Sequence, residues 1–200
     1  MSENSPGVRP GDRAPVPAVV MSGAPATGKS TMGRALAREL RAAVVDLDTA
    51  TAPLVGVVAD LLGVSDLDDS RLSGPTRAAR YETIVALAEE SLAVGTPVVL
   101  VAPFTAETRG GAAWEALAGR LQAAGGTPTL VWLRLDPDVV LERLRARGAE
   151  RDEPKLGDPQ GYRDRLTVDP PACPHLDVDA DRPVDVIVRE LLGQLTSTSG

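Results

Sequence analysis

The stretch of sequence that decides the fold begins at Val19 and reads VVMSGAPATGKSTMGRAL. Its first part is apolar and typical of a strand, and its last part has the apolar spacing of an amphipathic helix. Between them, residues 23–30 match the pattern Gly-x-x-x-x-Gly-Lys-Ser. In such a loop the backbone N–H groups point inward, and the following helix presents its positive end to a polyanion. Residues 23–30 therefore predict a P-loop that binds a nucleoside triphosphate, with ATP and magnesium as the expected cofactors.

Individual roles follow from the chemistry of the loop. Lys29 is expected to bridge the β- and γ-phosphates during catalysis, and the hydroxyl of Ser30 is expected to ligate Mg²⁺. Gly23 and Gly28 permit a close backbone approach that a Cβ atom would obstruct. A chance glycine-rich turn is the alternative, and the flanking strand and helix disfavour it. The predicted nucleotide-binding residues are Gly23, Ala24, Pro25, Ala26, Thr27, Gly28, Lys29, Ser30, Thr31 and Arg143.

Strand-like and helix-like segments alternate along the rest of the chain, which predicts an α/β fold with a parallel sheet. We expect one P-loop domain over residues 18–195, with a mobile lid at residues 148–161 and disordered tails at residues 1–17 and 196–200. Apolar strands are predicted at residues 18–21, 42–47, 97–102, 129–135 and 175–178. Helices are predicted at residues 29–40, 53–62, 76–94, 114–124, 137–147, 162–166 and 184–195, with Pro53 in a first turn.

Composition narrows the range of partners. The chain of 200 residues has a net charge of −7, which disfavours non-specific binding to nucleic acid or to an anionic membrane. Cys173 and His175 are its only cysteine and histidine, so a zinc site built from these residue types would lack ligands. We expect a cytoplasmic protein without nucleic-acid or membrane partners. The sequence does not predict an oligomeric state.

Two acidic residues, Asp46 and Asp48, come at the end of the second predicted strand. In a doubly wound sheet this strand end lies across from the P-loop. A carboxylate there accepts the proton of a substrate hydroxyl or helps to hold magnesium. The two residues alternate, so their side chains share one side if the strand continues. Asp48 is predicted to be the catalytic base and a metal ligand, and Asp46 a substrate-binding residue. A solvated strand end, or Asp48 as a helix cap, is the alternative.

Three arginines, Arg143, Arg147 and Arg151, recur every four residues. Arg143 and Arg147 are therefore expected on one helix face. Planar guanidinium groups stabilise the charge on a phosphoryl group in transfer, so Arg147 and Arg151 are predicted to be catalytic. Closure of the lid that follows would keep water from the γ-phosphate. A solvated helix face paired with neighbouring acidic residues is the alternative.

The acceptor side is expected near the end of the third strand and the start of the long helix. The residues predicted to bind the acceptor there are Arg77, Tyr81, Phe104 and Thr105, and Arg80 and Arg109 are further candidates. For each of them a packing or surface role is an equal alternative.

These motifs resemble those of the small P-loop kinases grouped with zeta toxins, chloramphenicol phosphotransferase, gluconate kinase and shikimate kinase. The likeness rests on residues 23–30, 45–49 and 135–147. It implies the sheet order 2-3-1-4-5 and three layers, α/β/α. It also implies that Asp48 is the proton acceptor and that Arg147 and Arg151 are the lid arginines. The third strand lacks the glycine-rich turn with which shikimate kinases bind their acceptor, which argues against shikimate itself.

The leading hypothesis is an ATP-dependent kinase that phosphorylates a hydroxyl of a small molecule, such as a sugar, a polyol or a hydroxylated antibiotic. Asn4 is the only asparagine, so the Asn-Lys-x-Asp motif with which GTPases read guanine is absent. One alternative is an ATP-binding switch or scaffold with slow hydrolysis and no small acceptor. A further alternative is a zeta-toxin-like kinase of nucleotide sugars.

Overall fold

A computed structural model describes residues 14–64, 69–148, 152–166 and 169–197 of the chain. Its sheet has five parallel strands in the order β2-β3-β1-β4-β5, which confirms the predicted order. Because all strands run in parallel, their carboxyl ends meet at one edge, where ligands of such sheets bind. The strands are β1 (Val16–Gly23), β2 (Ala43–Asp46), β3 (Val98–Val101), β4 (Gly126–Arg134) and β5 (Leu176–Asp179).

Helices cover both faces of this sheet. They are α1 (Lys29–Leu40), α2 (Leu47–Leu62), α3 (Ser70–Ala93), α4 (Ala112–Ala123), α5 (Pro137–Arg147), α6 (Glu153–Gly157), α7 (Pro159–Arg165) and α8 (Val184–Ser197), with a 3₁₀ helix at Glu107–Arg109. The predicted bounds of α1 and α5 are confirmed. None of the helices in the described ranges has the length and apolar composition needed to cross a lipid bilayer.

Two apolar cores flank the sheet, and the alternation of side chains along β1 separates them. Val19 and Met21 face α1, α5 and α8, whereas Ala18 and Val20 face α3 and α4. All four side chains are fully buried. Burial of a Val or Met side chain stabilises the fold by about 1.5–3 kcal/mol, so the cores rigidify the strand that ends at the P-loop.

Several predicted boundaries were wrong. β1 begins at Val16, inside the predicted tail, because the Val16 N–H bonds to Gly125 O at 3.1 Å and extends the pairing with β4. Helix α8 runs to Ser197, past the predicted helix end at residue 195. The lid contains α6 and the start of α7, and its mobility stays a prediction. Residues 1–13 and 198–200 of the predicted tails lie outside the described residues.

The start of α2 was also mispredicted, with a consequence for the site. The helix begins at Leu47 rather than at residue 53, and Pro53 lies within it. The carboxylate of Asp46 accepts hydrogen bonds from the backbone N–H groups of Asp48 and Thr49, both at 3.1 Å, and so caps the helix. The strand therefore ends at Asp46. Asp48 lies in the first helical turn, and the two carboxylates do not share one side of an extended strand.

Candidate active site

The P-loop between β1 and α1 is held by its own backbone. Gly23 has a φ of +149°, and a Cβ atom at this position would lie 2.6 Å from the carbonyl oxygen of Leu133. Gly28 is left-handed, with a φ of +88°. The Thr27 hydroxyl donates a hydrogen bond to Ala24 O at 2.8 Å, which closes the loop on itself. The shape of the loop backbone is thus fixed by positive φ values and by a bond within the loop, which suits a site for an anion.

Lys29 is folded back against this loop. Its Nζ atom donates hydrogen bonds to Gly23 O at 2.9 Å and to Ala24 O at 2.7 Å. Desolvation is the main cause that lowers the pKa of Lys29 to about 8, and the charges of Asp48 and Asp46 oppose this effect. The charge of Arg147 lowers the same pKa further. Both carboxylates and Arg147 are therefore close enough to act on the Lys29 ammonium.

Ser30 is paired with Asp46. Its hydroxyl donates a hydrogen bond to Asp46 Oδ2 at 2.6 Å, while the other carboxylate oxygen caps α2. The Asp46 side chain is buried at the base of the site. A hydroxyl beside a carboxylate is a pair of hard oxygen ligands that suits Mg²⁺. Asp46, predicted as a substrate-binding residue, is thus the carboxylate that contacts the predicted metal ligand Ser30.

Asp48 is more exposed and faces α3. Its side chain is 66 % exposed, and its carboxylate accepts a hydrogen bond from Arg80 Nη2 at 2.7 Å. Arg80 Nε also donates to the hydroxyl of Thr51 at 2.9 Å, one helical turn beyond Asp48. The guanidinium of Arg80 therefore bridges two groups on α2 and fixes the orientation of the exposed carboxylate.

The four predicted acceptor-binding residues form one cluster. Arg77 Nη2 donates to the Thr105 hydroxyl at 2.8 Å, and its guanidinium carbon lies 5.2 Å from the centroid of the Tyr81 ring. The Tyr81 hydroxyl accepts a hydrogen bond from the backbone N–H of Phe104 at 3.2 Å. Desolvation raises the pKa of Tyr81, so this hydroxyl stays neutral. The fully buried Phe104 ring packs edge-on against Tyr81.

The backbone near Phe104 joins this cluster to the P-loop strand. Phe104 has a φ of +43°, a strained value for a bulky residue. The buried hydroxyl of Ser22, next to the P-loop, donates to Pro103 O at 2.6 Å and anchors the turn. Sequence reasoning missed Ser22, and its position directly before Gly23 was the available signal.

The two predicted arginines of α5, Arg143 and Arg147, contact different parts of the chain. Arg143 donates to Ala180 O at 3.2 Å and to Asp181 Oδ1 at 3.1 Å, beyond the end of β5. Arg147 instead makes a two-armed contact with Asp152 in the lid. The predicted catalytic residue Arg151 lies outside the described residues. Asp152 is one of the neighbouring acidic residues for which the sequence offered a solvated surface role, and the structure buries it instead.

Comparison with known proteins relates this geometry to a family. A family model described as "AAA domain" matches residues 19–161, from β1 into the lid helices. A shikimate kinase from Bradyrhizobium diazoefficiens is 30 % identical over 181 residues, which are 88 % of this chain and 78 % of that protein.

Solved structures show the same architecture. A putative kinase from Chloroflexus aurantiacus has a TM-score of 0.67 at 26 % identity and covers 92 % of this chain and 98 % of its own. A gluconokinase from Sinorhizobium meliloti has a TM-score of 0.57 at 22 % identity and covers 94 % of this chain and 95 % of its own. The predicted P-loop kinase fold is confirmed, whereas the narrower likeness to zeta toxins and chloramphenicol phosphotransferase stays a prediction. With the family match spanning the P-loop, both carboxylates and the acceptor cluster, the chain belongs to this AAA-domain family of P-loop kinases.

Proposed function

We propose that this protein is a kinase that transfers the γ-phosphate of MgATP to a hydroxyl of a small molecule. The observation that carries the proposal is the placement of two different carboxylates beside the P-loop lysine. Asp46 contacts Ser30 inside the site, and Asp48 lies at its rim facing α3. Phosphoryl transfer needs both functions, since one group must hold the metal and another must orient the attacking hydroxyl.

On the donor side, the P-loop amides and Lys29 hold the phosphates. Ser30 and Asp46 are the residues that would hold magnesium, which neutralises charge on the phosphate oxygens when it is bound. This assignment gives Asp46 the metal-binding role that the sequence pattern suggested for Asp48. Arg147, whose charge acts on Lys29, stabilises the transferring group, and the same role for Arg151 stays a prediction.

On the acceptor side, Asp48 accepts the proton of the substrate hydroxyl while that oxygen attacks the γ-phosphorus and ADP leaves. The exposed carboxylate is accessible to a substrate, and in the free protein its hydrogen bond with Arg80 orients it toward α3. A positioned base of this kind contributes a factor of about 10²–10⁴ to the rate.

The acceptor class is suggested by Arg77. Its hydrogen bond goes to the neutral hydroxyl of Thr105, and it has no ion pair with any residue in the described ranges. A cation in that setting attracts an anionic group. The similar protein from Bradyrhizobium is a shikimate kinase, whose acceptor is a hydroxylated carboxylic acid. We therefore favour a hydroxy acid, including a sugar acid, over a neutral sugar, a polyol or a hydroxylated antibiotic.

The test is an acceptor screen that follows ADP release from MgATP and detects the phosphorylated product by mass spectrometry. The panel pairs acids with neutral analogues, for example gluconate with glucose and shikimate with a neutral cyclitol, and adds hydroxylated antibiotics. Stimulation by one or more hydroxy acids is expected. Slow hydrolysis that no metabolite stimulates would instead support the ATP-binding switch.

The catalytic assignment is tested with Asp48→Asn. This variant should bind MgATP with unchanged affinity and lose phosphoryl transfer by at least about a hundredfold, because the amide cannot accept the proton. Asp60→Asn, an exposed substitution on the same helix, is the matched control and should retain full turnover. Normal turnover in Asp48→Asn would refute the role of Asp48.

A further inference from the structure

A buried carboxylate in the lid has no role in the reaction as described so far. The side chain of Asp152 has an exposed fraction of 0 % and lies just before α6. A charged group in such a position is costly unless it is paired and hydrogen-bonded. Its burial therefore requires a specific cationic partner.

That partner is Arg147, in the last turn of α5. Arg147 Nε donates to Asp152 Oδ2 at 2.7 Å, and Nη2 donates to Oδ1 at 2.7 Å. Two parallel hydrogen bonds fix the plane and the rotation of the guanidinium as well as its position. The pair uses one edge of the guanidinium, and Nη1 makes no hydrogen bond to a residue within the part of the chain that the structure describes.

Arg147 is also close enough to the donor site for its charge to act on Lys29. Its charge is among the causes that lower the pKa of Lys29. By contrast, Arg143, one turn earlier on α5, is bonded to the segment after β5. Helix α5 is thus held at β5 through Arg143, while the direction of Arg147 is set by Asp152.

We propose that Asp152 is a positioning residue, which holds the guanidinium of Arg147 toward the γ-phosphate end of the bound nucleotide. The proposal rests on the donor half of the proposed function and needs no knowledge of the acceptor. A merely structural ion pair would stabilise the lid but would not distinguish ATP from ADP.

The test is calorimetric titration of Asp152→Asn with MgATP and, separately, with MgADP. The amide keeps the shape of the side chain but turns one acceptor into a donor, so the two-armed contact is lost. Affinity for MgATP should fall by about tenfold or more, the scale of one charge-assisted hydrogen bond. Affinity for MgADP should change by less than about twofold, since ADP lacks the γ-phosphate.

Two further variants separate positioning from stability. Asp138→Asn removes another contact between α5 and the lid helices, the exposed ion pair with Arg163, and should leave both affinities unchanged. In an Arg147→Met background, Asp152→Asn should cause no further loss of MgATP affinity. If Asp152→Asn does not fold, Asp152→Glu keeps the charge, displaces the guanidinium by one methylene, and should still weaken MgATP selectively.

Equal weakening of MgATP and MgADP would overturn the proposal, and so would a loss that persists without Arg147. Selective weakening of MgATP in a protein that phosphorylates no metabolite would support the role of Asp152 and refute the kinase function. A wild-type chain that binds no MgATP would refute both.

Discussion

The proposed donor half and the proposed acceptor half of the site are built in different ways. The donor half is a loop of consecutive residues, in which Lys29 and Thr27 bond to carbonyls no more than six positions away. The acceptor half joins residues far apart in sequence, since Arg77 reaches Thr105 across 28 positions and Arg80 reaches Asp48 across 32. One half is therefore determined locally, and the other depends on how α2 and α3 pack.

The two halves also differ in rigidity. The backbone of the donor loop is fixed by positive φ values at Gly23 and Gly28, so its shape does not depend on the rotamers of side chains. The acceptor half relies on contacts such as Arg80 with Asp48, whose side chain is 66 % exposed. Exposed pairs of this kind contribute about 0.2–1 kcal/mol, so they are replaced easily when a substrate binds. The donor half should thus be preset and the acceptor half adaptable.

The largest effect expected from a change in the donor half is that of Lys29→Met. The variant keeps the length of the side chain and removes the charge that holds the transferring phosphoryl group. kcat/KM in the acceptor assay should fall by about a hundredfold to a thousandfold, the scale for removal of one electrostatic donor. Arg38→Met, which removes an exposed cation from the same helix, should leave kcat/KM within about twofold. A comparable loss in Arg38→Met would show that general charge, and not the P-loop, controls the rate.

Local determination explains why the fold around the P-loop could be predicted. The pattern at residues 23–30 requires particular backbone angles, and the bounds of α1 at Lys29 and Leu40 were read correctly from the apolar spacing. The start of α5 is also set locally, because Pro137 lies in its first turn and the Asp136 carboxylate accepts a hydrogen bond from the N–H of Asp138 at 2.8 Å.

The acceptor half was predicted as a set of residues but not as a geometry. An aspartate at position 46 is compatible both with the end of a strand and with the N-cap of a helix, and the sequence does not decide between these two positions. Because Asp46 caps α2, Asp48 lies in the first turn of that helix rather than on the strand. There Arg80 of α3 donates hydrogen bonds to Asp48 and to Thr51. The pairing of Arg147 with a buried Asp152 depends on the fold of the lid, which local spacing does not determine.

A smaller effect is expected from Arg77→Met, which addresses the acceptor half alone. If the acceptor is a hydroxy acid, its KM should rise by at least about tenfold, because a charge-assisted hydrogen bond is worth about 1.5–3 kcal/mol. The affinity for MgATP, measured by calorimetry, should not change. Arg189→Met is the control, since Arg189 is an exposed arginine on α8, outside the cluster. An unchanged KM in Arg77→Met would favour a neutral acceptor.

The pH dependence of MgATP binding should follow the protonation of Lys29 in the donor half. Burial lowers the pKa of Lys29 from 10.5 to about 8, so the free protein loses this charge above pH 8. MgATP affinity should fall by up to about tenfold per pH unit above that value, with proton uptake on binding. The free energy of unfolding should rise over the same interval, because the unfolded lysine still binds the proton. Lys29→Arg, which stays charged, should show neither trend, and a persisting decline would assign the titration to another group.

The smallest effect is expected from Ser22→Ala, at the junction of the two halves. The buried Ser22 hydroxyl bonds to Pro103 O at 2.6 Å and ties the acceptor turn to the P-loop strand. Loss of this bond should lower the free energy of unfolding by about 1 kcal/mol, measured by urea denaturation. Ser91→Ala, which removes a hydroxyl bonded to its own helix, should change it by less than about 0.5 kcal/mol. The acceptor KM should rise a few-fold while MgATP affinity stays constant, because the P-loop is held by its own bonds. An equal loss on both sides would mean that the donor loop depends on the acceptor turn, and the two halves would then have to be treated as one cooperative unit.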